Sequence, residues 1–110
     1  MKKLMLIAAI AALSTGAALA GDAVKGKKTF ADKGCWQCHG YEGQGGQAGP
    51  RLANTQLPEA GLIAFVRGTS AAMPPYSAKL VSDAELSDVF AYLQARPKPV
   101  DPRTIPLLSQ

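Results

Sequence analysis

The clearest alternation of apolar and polar residues lies near the carboxyl end of the chain. Four apolar residues recur there at the spacing of one helix face: Leu86, Val89, Phe90 and Leu93. They follow the segment Ser82 to Glu85, in which the serine and the glutamate can satisfy the free amide groups of a helix start. The pattern therefore predicts a helix that begins after Ser82, has Arg96 in its last turn and stops before Pro97.

The segment after the first twenty residues also has a helical pattern, with fewer apolar positions. A helix is predicted from about Asp22, a good capping residue, to Lys33, which precedes a glycine. Its buried side is predicted to consist of Val24, Phe30 and Ala31. Gly26 lies on the same face as Phe30. This glycine either lets a second helix approach closely or is simply a weak helical position.

A third helix is predicted in the middle of the chain, from about Pro58 to Arg67. Proline suits the first turn of a helix, and Gly68 suits the position just past its end. Its apolar face would consist of Leu62, Phe65 and Val66. Glycines crowd residues 40–49 and prolines crowd residues 97–110, so we predict a loop and an extended tail without helix. Because no segment alternates as a strand does, the predicted fold class is all-α, with three main helices and long loops.

Five consecutive residues carry the chemistry: Cys35, Trp36, Gln37, Cys38 and His39. The pattern C-x-x-C-H is the attachment signature of c-type haem, in which both cysteines form thioethers and the histidine ligates the iron. The chain has no other cysteine and no other histidine. Ligation of one iron by two histidines is therefore impossible, and a four-ligand structural zinc site of Cys and His is excluded. The glycines of the following loop would let backbone pass close to a flat ligand.

The second axial position of such an iron has one strong candidate. Met73 is the only methionine beyond the first twenty residues, and it lies 34 positions after His39, far enough to wrap over a porphyrin. Pro74 and Pro75 stiffen its loop. A thioether ligand favours Fe(II) and raises the reduction potential. The alternatives are that Met73 is an ordinary core residue, that a lysine such as Lys79 binds, or that the position is open.

The first twenty residues have the pattern of a secretory signal. Positions 2–3 are lysines, positions 4–13 are apolar, and small residues at 18–20 suit cleavage before Gly21. The apolar stretch is shorter than the ~20 residues that span a bilayer, so cleavage is favoured over a retained membrane anchor. We therefore expect export to the periplasm and one mature domain, residues 21–110, that does not span the membrane. A domain of this size is marginal alone, and a covalent porphyrin would supply the missing apolar centre.

Charge narrows the possible partners. Without the first twenty residues, ten Lys and Arg stand against eight Asp and Glu. No basic run is interleaved with aromatic residues, so the pattern is not that of a nucleic-acid-binding protein. Four lysines cluster near the start of the mature segment: Lys25, Lys27, Lys28 and Lys33. They form either a solvated helix face or a patch that steers docking to an acidic partner.

Taken together, these motifs resemble those of a small bacterial class I cytochrome c. The resemblance covers the mature segment apart from its tail. It rests on the following residues: Cys35 to Gly40, Gly49 to Leu52, Met73 to Tyr76, the pair Gly26 and Phe30, and Tyr92 with Leu93. It implies a cytochrome c fold wrapped around one covalent haem c, in which the first and last helices cross. The glycine and the aromatic residue of the first helix would then pack against Phe90, Tyr92 or Leu93.

The resemblance also implies roles for residues around the iron. His39 and Met73 would be the axial ligands, and the Pro50 carbonyl would accept a hydrogen bond from the free ring N–H of His39. Arg51 would lie near a haem propionate. The chain is short between the two axial ligands, so the propionate edge would be more exposed than in longer relatives.

The predicted function is that of a periplasmic mono-haem cytochrome that carries one electron at a time between donor and acceptor redox proteins, without being an enzyme. A close alternative is a dedicated cytochrome c subunit of a periplasmic dehydrogenase. The apolar end of the tail, 103–108, would suit a permanent partner, or it is a frayed terminus or a surface strap. A thiol–disulfide oxidoreductase that uses Cys35 and Cys38 is a remote alternative, because such motifs follow a strand. A peroxidase or ligand sensor would need an open iron.

Overall fold

A computed structural model of the chain describes residues 20–108, and these residues are helical with long loops. The helices are α1 (Ala23–Asp32), α2 (Trp36–His39), α3 (Glu59–Gly68) and α4 (Asp83–Gln94), followed by a 3₁₀ turn (Pro102–Thr104). No strand occurs in this part of the chain, so the all-α prediction is confirmed. The predicted signal sequence lies, apart from its last residue, outside the described residues. Every helix from residue 20 to 108 falls short of the length and apolar character that a membrane span requires.

The crossing of α1 and α4 is the main helix–helix contact, and α3 also packs against α4. A Cβ atom on Gly26 would lie 1.9 Å from the carbonyl oxygen of Asp88, so only glycine allows the two helices to come this close. Next to this contact, the rings of Phe30 and Tyr92 lie 5.6 Å apart and tilted by 53°. The buried cluster around the crossing consists of Phe30, Leu62, Val89, Tyr92 and Leu93. The predicted close approach at Gly26 is confirmed.

The helix starts follow the capping chemistry of the sequence. The Asp22 carboxylate accepts hydrogen bonds from the backbone N–H groups of Val24 and Lys25 at 2.9 and 3.1 Å. Ser82 and Glu85 form the predicted capping box, with backbone-to-side-chain distances of 2.7 and 3.1 Å. Each of these helices therefore begins where its capping residue predicts.

The predicted buried side of α1 is partly wrong. Val24 is 82% exposed and Ala31 is also exposed, whereas Gly26 and Phe30 are buried. Successive residues are rotated by 100° around a helix, so Val24 lies 200° from Gly26 and Ala31 lies 100° from Phe30. Because the glycine brings α4 so close, the contact is a narrow stripe; Ala31 lies beside it, and Val24 lies on nearly the opposite face of the helix.

Three details of the helix ends and the tail also differ from the predictions. The helix α4 ends at Gln94, so Arg96 lies past its last turn, and Gly68 is the last residue of α3 instead of the position after it. The tail is not wholly extended, because Asp101 caps the 3₁₀ turn by accepting a hydrogen bond from the backbone N–H of Arg103 at 2.9 Å. The four-residue helix α2 was not predicted, since periodicity cannot show in so short a segment.

Candidate functional site

A cavity of about 460 Å³ opens between α2, α3 and the loops that follow them. A smaller cavity of about 70 Å³ adjoins it. Five residues line both cavities: Cys38, His39, Leu52, Leu62 and Met73. The volume lies within the range of cofactor sites, and most of the lining side chains are apolar. The cysteine–histidine motif and the candidate methionine therefore face one shared space.

The cysteine–histidine motif lies on one helical turn. Gly34 and Gly40, on either side of it, have φ angles of +77° and +79°, which a side chain would strain. The backbone N–H of His39 donates to the Cys35 carbonyl at 3.1 Å. Cys38 lines both cavities and Cys35 lines the smaller one. The turn thus directs both thiols and the imidazole toward the cavity region.

The imidazole of His39 is buried and held in one orientation. Its Nδ1 atom lies 2.8 Å from the carbonyl oxygen of Pro50, to which an Nδ1–H group would donate. Gly49 presses against the ring, because a Cβ atom there would lie 3.1 Å from Nδ1 and 3.0 Å from the Cys38 carbonyl oxygen. With Nδ1–H so engaged, the lone pair of Nε2 is left for a metal.

The glycine-rich loop packs mainly against the protein's own chain. Gly43 and Gly45 have φ angles of +65° and +85°. A Cβ atom on Gly43 would lie 2.7 Å from a methyl carbon of Leu93, and one on Gly45 would lie 2.6 Å from the backbone nitrogen of Arg51. We predicted that the glycines of this loop let the backbone pass close to a flat ligand. That reason does not account for Gly43 and Gly45, which instead allow close contact with neighbouring protein segments.

Arg51 lies on the wall of the larger cavity, and the protein already uses part of its guanidinium group. Its Nε–H donates to the Ala53 carbonyl at 3.2 Å, and one Nη group donates to the side-chain oxygen of Asn54 at 3.1 Å. Both bonds fix the direction of the side chain. The remaining N–H groups are the ones that a carboxylate ligand in the cavity would meet.

Met73 is half-buried and lies in the irregular segment 69–80 between α3 and α4. The segment is tied down three residues later, where Tyr76 donates its hydroxyl hydrogen to the Lys33 carbonyl at 3.0 Å. Burial is the main cause that raises the pKa of Tyr76, and in the haem-free chain the charges of Cys35 and Cys38 add to it, so the phenol keeps its proton. Lys79, the alternative ligand, is exposed and is not among the residues that line either cavity.

The donor atoms around the cavity fit a haem group better than a bare metal ion. Among residues 20–108, no group of three or more His, Cys, Asp or Glu side chains lies close enough to bind a metal. One imidazole and one thioether face the cavity instead, and a porphyrin supplies four further ligands of its own. Burial raises the pKa of the free Cys35 thiol. Once the sulfur forms a thioether it has no proton to lose, so this pKa no longer applies.

The contact of Tyr76 with Lys33 was not predicted from the sequence, although this tyrosine belongs to the Met-Pro-Pro-Tyr segment. Its hydroxyl bond joins residues 43 positions apart, and a sequence pattern carries no signal for such a contact. An aromatic residue with a polar end, placed just after two prolines, is the one hint that the chain offers.

Comparison with known proteins gives a family and one related protein. The sequence profile of the family described as "Cytochrome C oxidase, cbb3-type, subunit III" matches residues 21–93. The chain is 39% identical over 72 residues to the cytochrome c subunit of 4-cresol dehydrogenase (hydroxylating) from Pseudomonas putida. That alignment covers 66% of this chain and spans 61% of the relative's length. No solved structure matches the chain significantly.

Proposed function

The chain belongs to the cytochrome c family of the cbb3-type oxidase subunit III profile, and from this premise we propose that it is a periplasmic mono-haem carrier of single electrons between redox proteins. Membership of this family makes the chain an electron-transfer cytochrome with covalently bound haem c. The ligands of the iron, the cellular location and the partner proteins are the parts of the proposal that go beyond the family.

Each residue of the proposed site has one task. Cys35 and Cys38 would hold the haem through thioethers, and His39 and Met73 would supply the protein's two ligands to its iron. The bound group supplies exchange between Fe(III) and Fe(II), one electron at a time. Arg51 directs its remaining N–H groups toward a propionate. With two ligands to the iron supplied by the protein, no position would be left for a substrate.

The observation that carries the proposal is that His39 and Met73 line the same pair of cavities, with the histidine ring held in one orientation through its Nδ1 atom. The 2.8 Å contact between Nδ1 and the Pro50 carbonyl oxygen sets the tautomer and makes Nε2 a stronger donor. A fixed imidazole and a thioether on a proline-stiffened loop reorganise little when the charge of the iron changes. This rigidity suits electron transfer.

Export is supported by the position of the family match. The match begins at Gly21, the first residue after the proposed cleavage point. The same residue lies tightly against α4, where a Cβ atom would be 2.1 Å from the Ser87 carbonyl oxygen. Amino-terminal sequencing of the protein purified from the periplasm should give Gly21 first. A protein that retains residues 1–20 would contradict this part of the proposal.

The test is a redox titration with absorption spectra of the natively exported protein, together with the variant Met73→Ala. The variant should have a lower reduction potential and should bind carbon monoxide rapidly in its reduced form, because the thioether is gone. Lys79→Ala is the control and should leave both properties unchanged. An unchanged potential in Met73→Ala, or rapid carbon monoxide binding by the parent protein, would contradict ligation by Met73.

A second candidate function is that of a dedicated subunit of a periplasmic dehydrogenase. The relative from Pseudomonas putida is named as the cytochrome c subunit of a dehydrogenase. The tail also presents large apolar side chains to solvent, with Val100 69%, Leu107 83% and Leu108 64% exposed. Gel filtration of the native protein separates the two functions, because a carrier elutes at the size of one chain. Co-elution with a dehydrogenase that dissociates when residues 100–110 are removed would favour the subunit.

A further inference from the structure

Tyr76 uses all three of its polar groups to anchor the segment that carries Met73. Its hydroxyl donates to the Lys33 carbonyl at 3.0 Å. Its backbone N–H donates to the Val66 carbonyl at 2.9 Å, and its own carbonyl accepts from a guanidinium N–H of Arg67 at 3.0 Å. The residue is only partly exposed, so these bonds are shielded from competition with water.

The three bonds connect the segment to two different parts of the protein. Val66 and Arg67 belong to the last turns of α3, immediately before the segment itself. Lys33, in contrast, caps the end of α1 and lies two residues before Cys35. The hydroxyl bond is therefore the contact that ties the methionine segment to the chain on which the haem motif is built.

The stiffness of the intervening chain carries this anchoring to Met73. Only Pro74 and Pro75 lie between Met73 and Tyr76, and both have a fixed φ angle. A neutral thioether is a weak donor, so its occupancy of an axial position depends on how closely the protein holds it in place. Fixing Tyr76 removes most of the freedom through which the sulfur could leave.

Resting on the proposed ligation of iron by Met73, we propose that Tyr76 is a positioning residue whose hydroxyl bond to Lys33 holds the methionine at the iron against displacement by external ligands. The chemistry of the ligand itself is unchanged by the tyrosine. Its contribution is to the rate at which the thioether dissociates. On the other side of Met73, the exposed residues 70–72 have no comparable anchor among the described residues.

The experiment measures how fast imidazole displaces the methionine in the ferric holoprotein, for the parent protein, Tyr76→Phe and Tyr92→Phe. Tyr92 is the matched control because its buried hydroxyl also donates to one backbone carbonyl, that of Tyr41, at 3.1 Å. Tyr76→Phe should accelerate displacement by about three- to tenfold, the size expected for one neutral hydrogen bond. Tyr92→Phe should stay within about twofold of the parent.

The outcomes separate this proposal from the one on which it rests. Equal acceleration by both variants, or none by Tyr76→Phe, overturns the positioning role and leaves ligation by Met73 intact. If the parent ferric protein lacks the weak long-wavelength absorption band of iron–thioether ligation, and binds imidazole as fast as Met73→Ala does, both proposals are overturned. Denaturant unfolding of each variant measures the general loss of stability. A tyrosine with a purely structural role would lower the free energy of unfolding without accelerating the displacement of the methionine by imidazole.

Discussion

Two sides of this small protein solve the problem of burying apolar residues differently. On the helical side, where α1 crosses α4, Phe30 and Leu93 are 1% and 0% exposed and belong to the buried cluster at the crossing. On the cavity side, formed by α3 and the segments 48–57 and 69–73, Leu57 and Phe65 are 49% and 50% exposed and line the large cavity. The helical side completes its own core, whereas the cavity side presents apolar surface that a porphyrin would cover.

The comparison explains why a chain with one small core can still form a stable domain. A domain of this size buries too little surface to be more than marginally stable unaided. The helical side supplies the protein's own contribution, and the covalent haem would supply the second core. Stability and redox chemistry would then depend on the same group. Each of the following predictions breaks one side or the boundary between them.

The largest effect is expected from removing both thioethers. The variant Cys35→Ser with Cys38→Ser should lose covalent haem, so the cavity side should lose its ordered structure while α1 and α4 keep at most partial helix. Circular dichroism and hydrogen exchange of the exported variant would show this as loss of amide protection, most complete in α3 and in 69–80. A variant with the parent's melting temperature and protection would contradict the proposed second core.

The next largest effect is expected on the helical side, from a substitution at the closest contact between α1 and α4. In Gly26→Ala the new Cβ would lie 1.9 Å from the Asp88 carbonyl oxygen, so the helices must move apart at a cost of about 3 kcal/mol. Gly68→Ala is the matched control, because nothing lies within 4 Å of that position, and it should stabilise by up to about 1 kcal/mol. Denaturant unfolding of the holoproteins measures both, and equal effects would exclude the close crossing.

The boundary between the two sides should tolerate change better. Asn54, with a φ angle of +56°, donates through its backbone to the Leu93 carbonyl at 2.9 Å and through its side chain to the Arg96 carbonyl at 2.7 Å. Asn54→Ala should therefore cost about 2 kcal/mol, because it removes this side-chain bond and the one that Asn54 accepts from Arg51, and strains the backbone. Asn54→Gly should cost about half as much, because glycine accepts the positive φ angle. Equal unfolding free energies for Asn54→Ala and Asn54→Gly would argue against backbone strain from the positive φ angle at this position.

The smallest effect concerns the acid dependence of α4. The backbone N–H of Ser82 donates to the Glu85 carboxylate and holds its pKa below the usual value. A lowered folded-state pKa means that the stabilisation is complete above the unfolded-state pKa and is lost as pH falls through the folded-state pKa. Glu85→Gln should therefore match the parent more closely in the acid range than at neutral pH. Unfolding free energies measured from pH 7 to pH 3 test this, and a constant difference would contradict it.

The sequence predicted one side of the molecule better than the other. Local chemistry marks the helices, because Asp22 and Ser82 cap them and Gly26 indicates where they cross. The predicted bounds of α1 and α4 therefore lie within one or two residues of those observed. Val24 was misplaced although helix rotation already sets it nearly opposite Gly26, whereas Ala31 was misplaced because the width of a helix contact depends on how closely the partner helix approaches. That distance is a property of the folded pair.

The candidate haem-binding residues can be predicted from the composition of the chain, whereas the hydrogen bonds that hold the methionine segment in place cannot. A chain with one histidine, two cysteines and one methionine beyond residue 20 leaves little choice of haem ligands. The contacts that hold the methionine segment, from Tyr76 to Lys33 and Arg67, join distant positions through backbone carbonyl groups. Any residue type provides such a carbonyl, so no sequence pattern could have identified them.

The most direct test of the account is the mass of the denatured, natively exported protein, measured together with its count of reactive thiols. We predict the mass of the chain from Gly21 onward plus one haem, with neither Cys35 nor Cys38 open to alkylation. A mass without bound haem and two free thiols would contradict the account, because the cavity would then have no cofactor to enclose and His39 and Met73 no iron to bind.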